Sequence, residues 1–187
     1  MCPAYKIEDQ SGLYFVTFTV VDWVDIFSRK IYRDIIIESL KYCIANKGLR
    51  LWGYVVMTNH MHAIISSDRN NLSDIIRDFK RHTASQSLKL INLHLESRRN
   101  WLDKRFEFAA RAHQRSSDHQ FWMHDNHPVM LVSSKFIFQK LNYIHVNPVR
   151  AGWVESPEDW LYSSARNYCN RQGLIKVDLL DLDIKLG

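Results

Sequence analysis

Two histidines two residues apart, His60 and His62, are the first feature of the sequence that could do chemistry. They lie in an apolar stretch, with residues 51–56 before them and residues 63–65 after them, which predicts a β-strand. Successive side chains of a strand point to opposite faces, so both imidazoles share one face. Such a pair can supply two ligands of a metal site. From these residues alone, two polar side chains at a sheet surface explain the pair equally well.

A second histidine pair, His124 and His127, flanks the dipeptide Asp125-Asn126. Between two short apolar stretches, this dipeptide predicts the turn of a hairpin. We therefore favour the interpretation of both histidines as hairpin residues over their interpretation as metal ligands.

A helix near residue 140 adds a second group of polar residues. Ser133 or Ser134 can cap it, and apolar residues at helical spacing across 137–144 predict its buried stripe. One flank then carries three polar residues at i, i+3 and i+7: Lys140, Tyr143 and Asn147. Pro148 disfavours helical angles at Asn147, which places that residue in the last turn or at a kink. Taken alone, this pattern is explained by a tyrosine that packs near the end of a helix.

Length and composition predict one soluble domain. The 187 residues are assigned as an N-terminal extension (1–12), a domain (13–170) and a C-terminal tail (171–187). The N-terminal residues are polar, and no run approaches the roughly 18 apolar residues of a membrane span, so neither a signal peptide nor a membrane partner is expected. The three cysteines are odd in number and scattered, which favours a reducing cytoplasm over a disulfide framework.

The positive charge is concentrated in one part of the chain. Residues 72–116 hold ten Lys and Arg against five Asp and Glu, which accounts for the whole net charge of +5. A basic strip of this kind is typical of a surface that binds phosphate, and a solvated helix face explains it equally well.

The order of predicted elements gives the fold class. Strands are expected at residues 13–21, 50–57 and 60–66, the second of them central because it is apolar on both faces. Helices are expected at 29–47, capped by Ser28 and ended by Gly48, and from Asn71 to about Leu95. The other expectations are an irregular stretch (96–120), the hairpin, the helix from 133, a short helix from Pro157 and a possible edge strand in the tail from Leu174. This order predicts an α+β fold, a ferredoxin-like split βαβ sandwich with an antiparallel sheet whose helices cover one face.

Two separated motifs together resemble one protein family. Residues 54–62, Tyr-Val-Val-Met-Thr-Asn-His-Met-His, and residues 143–152, Tyr-Ile-His-Val-Asn-Pro-Val-Arg-Ala-Gly, resemble the single-tyrosine HUH transposases, and among them the REP-associated tyrosine transposase branch. The resemblance runs from about Tyr14 to Ser164 and includes residues 78–81, 121–122 and 157–160. Thr58 stands where the family often has proline, and Trp153 where it usually has leucine.

The resemblance implies a fold of the HUH endonuclease type and a role for each matching residue. His60 and His62 are implied to be metal ligands, Tyr143 the nucleophile, and Asn147 the third ligand. Oxygen and nitrogen ligands of this kind suit Mg²⁺ or Mn²⁺. His145 is excluded as a ligand, because two residues from Tyr143 it points about 200° round the helix.

The implied activity is metal-dependent cleavage and rejoining of single-stranded DNA at hairpins or repeats, through a 5′-phosphotyrosine intermediate. The implied location is the bacterial cytoplasm. The protein would act as a monomer or a homodimer. Arg77, Lys80, Arg81 and Lys140 are the expected contacts to the DNA backbone, and Arg150 is expected to be structural. The alternatives are a catalytically silent DNA-binding regulator of repeat elements, and a metal hydrolase that needs His60 and His62 but not Tyr143.

Overall fold

A four-stranded antiparallel sheet organises the computed structural model, which describes residues 7–93, 96–113 and 117–180. The strands are β1 (Tyr14–Thr19), β2 (Leu49–Val56), β3 (His60–Ser67) and β4 (Val129–Met130). Their order across the sheet is β2-β3-β1-β4, with every neighbouring pair antiparallel. A strand–helix–strand–strand–helix–strand chain with this order is the ferredoxin-like split βαβ arrangement, so the predicted fold class is confirmed.

Helices lie on both faces of the sheet. The five helices of the described chain are α1 (Lys30–Lys47), α2 (Leu72–Asn92), α3 (Arg99–Ala112), α4 (Ser134–Arg150) and α5 (Ala165–Tyr168). α1 and α2 bury their apolar sides on one face, which forms the larger core. α4 packs across the other face with a smaller apolar cluster: Phe15, Val55, Met57, Ile64, Leu131, Leu141 and Ile144. The expectation that this second face would be free is therefore wrong, because α4 covers part of it.

Gly53 lets α4 approach the sheet closely. β2 shifts its register against β3 between Leu51 and Gly53, directly beneath α4. A Cβ atom at position 53 would lie 2.8 Å from Cδ1 of Leu141, inside normal contact distance. The missing side chain therefore sets how near α4, and with it Tyr143, comes to the strands.

β2 is an edge strand of the sheet, not the central strand that its apolar sequence predicted. Its outer edge is hydrogen-bonded to later parts of the chain. Val56 N donates to Tyr162 O and Ser164 N donates to Tyr54 O, both at 2.9 Å. Both faces of β2 are buried and its edge is covered, so its sequence is as apolar as that of a central strand.

The ends of α1 confirm one prediction and correct another. Gly48 has φ of 76°, the left-handed conformation expected of a helix stop. Ser28 does not cap the helix, because it belongs to a 3₁₀ turn (Ile26–Ser28) and Arg29 occupies the cap position. Cys43 is buried on the side of the helix that faces the core, whereas Ile31 is 39% exposed.

A helix occupies the stretch that was predicted to be irregular. α3 buries Leu102, Phe106, Ala109 and Ala110 on one side, a spacing of three to four residues that the many charged neighbours concealed. α2 follows the prediction, ending at Asn92, and Leu95 lies outside the described residues.

The predicted hairpin at residues 121–130 is also wrong. Both of its arms pair with β1 instead of with each other: Met123 N donates to Thr19 O at 2.8 Å, and Thr17 N donates to Asn126 O at 2.9 Å. β4 then pairs with the start of β1. The segment is a single irregular edge strand, because β1 offers it an unpaired edge along its full length.

The tail packs against the core without forming a strand in its described part, residues 171–180. Ile175 and Val177 are buried, and Asp178 N donates to Leu51 O at 2.9 Å. Pro157 begins a 3₁₀ turn (Pro157–Asp159), and α5 follows it. Residues 1–6 and 181–187, which include Cys2 and the end of the tail, lie outside the described residues.

Two further expectations concern cysteines and membranes. Cys43 and Cys169 are both free thiols, the first buried and the second exposed. Within the described ranges, no helix combines the length and apolar character that crossing a membrane requires.

Glu96 anchors the start of α3 to α1 and gives a stability prediction. Its carboxylate is 1% exposed and accepts from Arg29 Nη1 at 2.7 Å, from the Tyr32 hydroxyl at 3.2 Å and from Arg98 N at 3.1 Å. Burial opposes ionisation, but these donors outweigh it and hold the pKa of Glu96 below its ordinary value. Glu96→Gln is expected to cost about 1–3 kcal/mol at neutral pH.

The same carboxylate sets a pH dependence. Because the folded-state pKa is lowered, this stability is present above the ordinary carboxyl pKa and is lost as the pH falls through the folded-state value. Urea unfolding at several pH values should show a smaller acid-side loss for Glu96→Gln than for the wild type. Glu38→Gln, on the exposed side of α1, is the control, and equal acid sensitivity of wild type and Glu96→Gln would contradict the assignment.

Candidate active site

His60 and His62 lie on the face of the sheet that α4 covers. In the β1–β3 register, Thr19 is opposite His60 and Thr17 is opposite His62. Met61, between the two histidines, points into the larger core on the other face. The two imidazole centroids are 4.8 Å apart. The strand therefore places the predicted pair side by side, as expected.

Hydrogen bonds to Nδ1 orient both rings. His60 Nδ1 is 2.6 Å from Oδ1 of Asn59, an atom that can only accept, so the proton lies on Nδ1 and Nε2 keeps its lone pair. His62 Nδ1 is 2.8 Å from the hydroxyl of Thr17, which can accept in the same way. A partner that accepts the Nδ1 proton leaves the lone pair on Nε2, the form in which Nε2 can bind a metal.

The environment also keeps both rings neutral. Burial lowers the pKa of His60. Burial, together with the proximity of His60 and of the Lys140 ammonium, lowers the pKa of His62 to about 3. A neutral imidazole is the form that binds a metal ion, so the pair is ready to act as ligands at neutral pH.

α4 places Tyr143 against this pair. Ser133 caps the helix by accepting from Phe136 N, and Leu141 and Ile144 are buried beneath it, as predicted. The Tyr143 hydroxyl lies 3.5 Å from Nε2 of His62, and the two rings meet edge-on with centroids 5.1 Å apart. The Tyr143 ring is 37% exposed. The phenol oxygen of this partly exposed residue therefore lies next to Nε2 of His62, within one chain.

Lys140 and Asn147 flank Tyr143 on the same helix. The ammonium of Lys140 lies 4.7 Å from the centre of the Phe15 ring and 6.0 Å from that of Tyr143. Asn147 is in the last turn of α4, one turn beyond Tyr143, and is half-buried. Pro148 follows inside the helix, so the last turn predicted for Asn147 is confirmed.

Phe15 and Thr17 are site residues that the sequence did not single out. The Phe15 ring stacks on His62 with centroids 5.2 Å apart and also contacts the Tyr143 ring at 6.1 Å. Thr17 binds His62 from the next position on that face. Alternation along β1 places the two residues together, but only the pairing of β1 with β3 shows which face they share with the histidines.

The structure separates the four predicted DNA contacts. Lys140 is at the site, whereas Arg77, Lys80 and Arg81 belong to α2 on the opposite face. Lys80 donates to Met123 O at 2.8 Å and to Asn126 Oδ1 at 2.6 Å, which ties α2 to the edge segment. Arg77 pairs with Asp74 at 2.5 Å. These three cations cannot contact a phosphate bound at the histidines.

Three further polar residues named from the sequence are His145, His124 and Arg150. His145 Nε2 lies 2.9 Å from the Ser164 hydroxyl, and burial lowers the pKa of His145 to about 4. His124 and Arg150 are exposed. In the described part of the chain, no group of three or more His, Cys, Asp or Glu side chains could hold a metal ion. A metal site at His60 and His62 would therefore have to draw its third protein ligand from another residue type.

Comparison with known proteins supports the fold. A solved structure of a REP-associated tyrosine transposase bound to a REP hairpin is similar to this chain, with a TM-score of 0.59. The match covers 98% of this chain and 96% of that one, at 17% sequence identity. No protein family model matches the sequence. No curated protein matches it either. The resemblance to REP-associated tyrosine transposases is thus confirmed at the level of the fold.

Proposed function

We propose that this chain is a REP-associated tyrosine transposase or a domesticated relative, a metal-dependent endonuclease and strand transferase for single-stranded DNA. The observation that carries the proposal is the position of Tyr143, whose hydroxyl lies 3.5 Å from Nε2 of a buried, neutral strand histidine. A tyrosine that only packed the helix on the sheet would not need its hydroxyl beside a ring nitrogen of an oriented imidazole. The similar fold of a transposase solved with a REP hairpin adds hairpin DNA as the expected partner.

The donor set fits a hard divalent cation. Two neutral imidazole nitrogens from β3 and the amide oxygen of Asn147 would hold Mg²⁺ or Mn²⁺, and oxygens of phosphate and water would supply the other ligands. When bound, the ion would withdraw charge from the scissile phosphate and fix its position.

The residues of the chain would carry out the displacement. Tyr143 Oη attacks the phosphorus, a new tyrosyl O–P bond forms, and the P–O3′ bond breaks. The phenol proton passes to solvent, to which the ring is open, and the departing 3′ oxygen takes up a proton. The products are a 5′-phosphotyrosine and a free 3′-hydroxyl. Attack by a 3′-hydroxyl on the phosphotyrosine restores a DNA strand without ATP, because the ester keeps the bond energy.

Lys140 and Phe15 would assist this step. An unassisted tyrosine with pKa near 10 is only about one part in a thousand ionised at pH 7. The Lys140 ammonium, held on the Phe15 ring beside Tyr143, favours both the developing phenolate and the incoming phosphate. Phe15 also holds His62 by stacking, so one aromatic ring positions a ligand and a cation.

Incubation of the purified protein with Mg²⁺ and a library of hairpin-bearing single strands tests the proposal. We expect cleavage that EDTA abolishes, with one fragment ending in a free 3′-hydroxyl and the other attached covalently to the protein. Binding without metal-dependent cleavage on the whole library would instead identify a DNA-binding regulator. Cleavage that never leaves an adduct would identify a metal hydrolase.

Thr17→Val gives a further prediction. The substitution keeps the volume of the side chain but removes the hydroxyl that holds Nδ1 of His62. Loss of such a partner of a metal-binding histidine typically weakens metal affinity about 10–100-fold. Titration of cleavage against Mn²⁺ should show this shift, and Thr17→Ser should restore most of it. An unchanged Mn²⁺ requirement in Thr17→Val would contradict the orienting role.

A further inference from the structure

Trp23 is held in a strained conformation beside the histidine pair. It follows β1 in a 3₁₀ turn (Val21–Trp23), where Asp22 and Trp23 have φ of 53° and 55°. Two consecutive non-glycine residues in the left-handed region are unusual, because this conformation is strained for any residue with a Cβ atom. The fold must hold this turn by other contacts.

The surrounding contacts do hold it. Val21 and Val24 are buried on either side of the turn, and Val21 N donates to Phe121 O at 3.0 Å. Asn59 Nδ2 donates to Trp23 O at 3.3 Å, while the Oδ1 atom of the same residue accepts from His60. One side chain therefore fixes both the backbone of Trp23 and the ring of His60.

The strain does not serve to bury the indole. Trp23 is 59% exposed, although tryptophan is the largest apolar side chain. Its ring centroid is 6.0 Å from that of His60, with the two planes 71° apart. Since the exposed ring adds little to the core, the strained turn presents an indole surface to solvent next to the proposed ligand.

The strand register places Trp23 and Tyr143 at opposite ends of the site. Phe15, which contacts Tyr143, is opposite Ile64, so this end lies beyond His62 along β3. Thr19 is opposite His60, and the chain continues from there to Trp23 beyond the other end. The order along the sheet is Tyr143, His62, His60, Trp23.

We propose that Trp23 stacks on the base of the nucleotide immediately 5′ of the scissile phosphate, the nucleotide that leaves with the free 3′-hydroxyl. The proposal rests on the proposed function. In an in-line displacement the leaving oxygen departs on the side opposite the nucleophile. Trp23 stands on that side of the histidines, and any base can stack on an indole face. Trp23 is a positioning residue that keeps the cleaved 3′ end in place for rejoining.

Binding of fluorescein-labelled oligothymidylate, followed by anisotropy, tests the stacking independently of cleavage. Trp23→Ala should weaken binding about 10-fold, as loss of a stacked base typically does. Trp23→Phe should retain most of the affinity. Trp153→Ala is the matched control, because Trp153 is 53% exposed but contacts Trp160 rather than a histidine. Unchanged binding by Trp23→Ala would overturn the proposal.

A stability measurement separates this role from a structural one. Trp23→Gly relieves the strained backbone, so its melting temperature should be no lower than that of the wild type while its affinity falls as in Trp23→Ala. A clear fall in melting temperature with affinity retained would show that Trp23 is structural and would overturn the proposal.

An abasic residue in a hairpin oligonucleotide that the protein cleaves tests whether Trp23 stacks on the base 5′ or 3′ of the scissile phosphate. Placed 5′ of the cleavage point, it should lower wild-type cleavage to the level of Trp23→Ala and leave that variant unaffected. When the abasic residue is placed 3′ of the cleavage point, the wild type should still cleave faster than Trp23→Ala. The reverse pattern would overturn the assignment. If no oligonucleotide is cleaved by the wild type, the proposed function fails, while the oligothymidylate measurement still decides whether Trp23 stacks.

Discussion

Tyr143→Phe protein is expected to lose cleavage by on the order of 10⁴-fold or more and to form no covalent adduct. The substitution removes only the hydroxyl that lies 3.5 Å from His62 Nε2. The remaining ring can keep its contacts with Phe15 and His62, so the fold and the affinity for single-stranded DNA should be unchanged. Cleavage of a labelled hairpin strand, with the adduct resolved on a denaturing gel, measures the effect.

Tyr42→Phe is the matched control for this prediction. Tyr42 is also exposed, at 58%, but lies on α1, on the other face of the sheet. Its variant should cleave as the wild type does. Cleavage retained in Tyr143→Phe would show that another group, or water, is the nucleophile.

His60→Ala is expected to lower metal-dependent cleavage by more than about 100-fold. Removal of a residue that only hydrogen-bonds to a metal ligand costs up to about 100-fold, and loss of the ligand itself should cost more. It takes away the Nε2 lone pair that the hydrogen bond from Nδ1 to Asn59 leaves free. Because His60 is less buried than His62, its loss creates the smaller cavity and should leave the protein folded. Titration of cleavage with Mn²⁺ and calorimetric Mn²⁺ binding measure the effect.

The control is His124→Ala, from the second histidine pair of the sequence. His124 is exposed on the segment that runs along the edge of β1. Its variant should bind Mn²⁺ and cleave as the wild type does. A larger loss in His124→Ala than in His60→Ala would move the metal site to the edge segment.

The sequence predicted the centre of the site because its spacing is local. Alternation along one strand places His60 and His62 on one face, and helical spacing places Lys140 and Tyr143 on one flank. The sequence did not show which elements would face each other. Phe15 and Thr17 were therefore missed, since their role depends on the pairing of β1 with β3.

The wrong predictions share a physical cause. The sequence of β2 is apolar because later residues cover its edge, not because it lies in the middle of the sheet. Residues 121–130 form an edge segment instead of a hairpin because β1, far away in sequence, offers hydrogen-bonding groups to both arms. Each error concerns a contact between distant segments, which local patterns do not encode.

In the proposed reaction, Tyr143 itself forms the bond to DNA. Protein incubated with Mg²⁺ and a cleaved hairpin strand can be digested with trypsin and nuclease, and the modified peptide sequenced by mass spectrometry. We expect a single 5′-nucleotide phosphodiester on the peptide that contains Tyr143. A nucleotide attached to any other residue, or cleavage with no modified peptide, would contradict it.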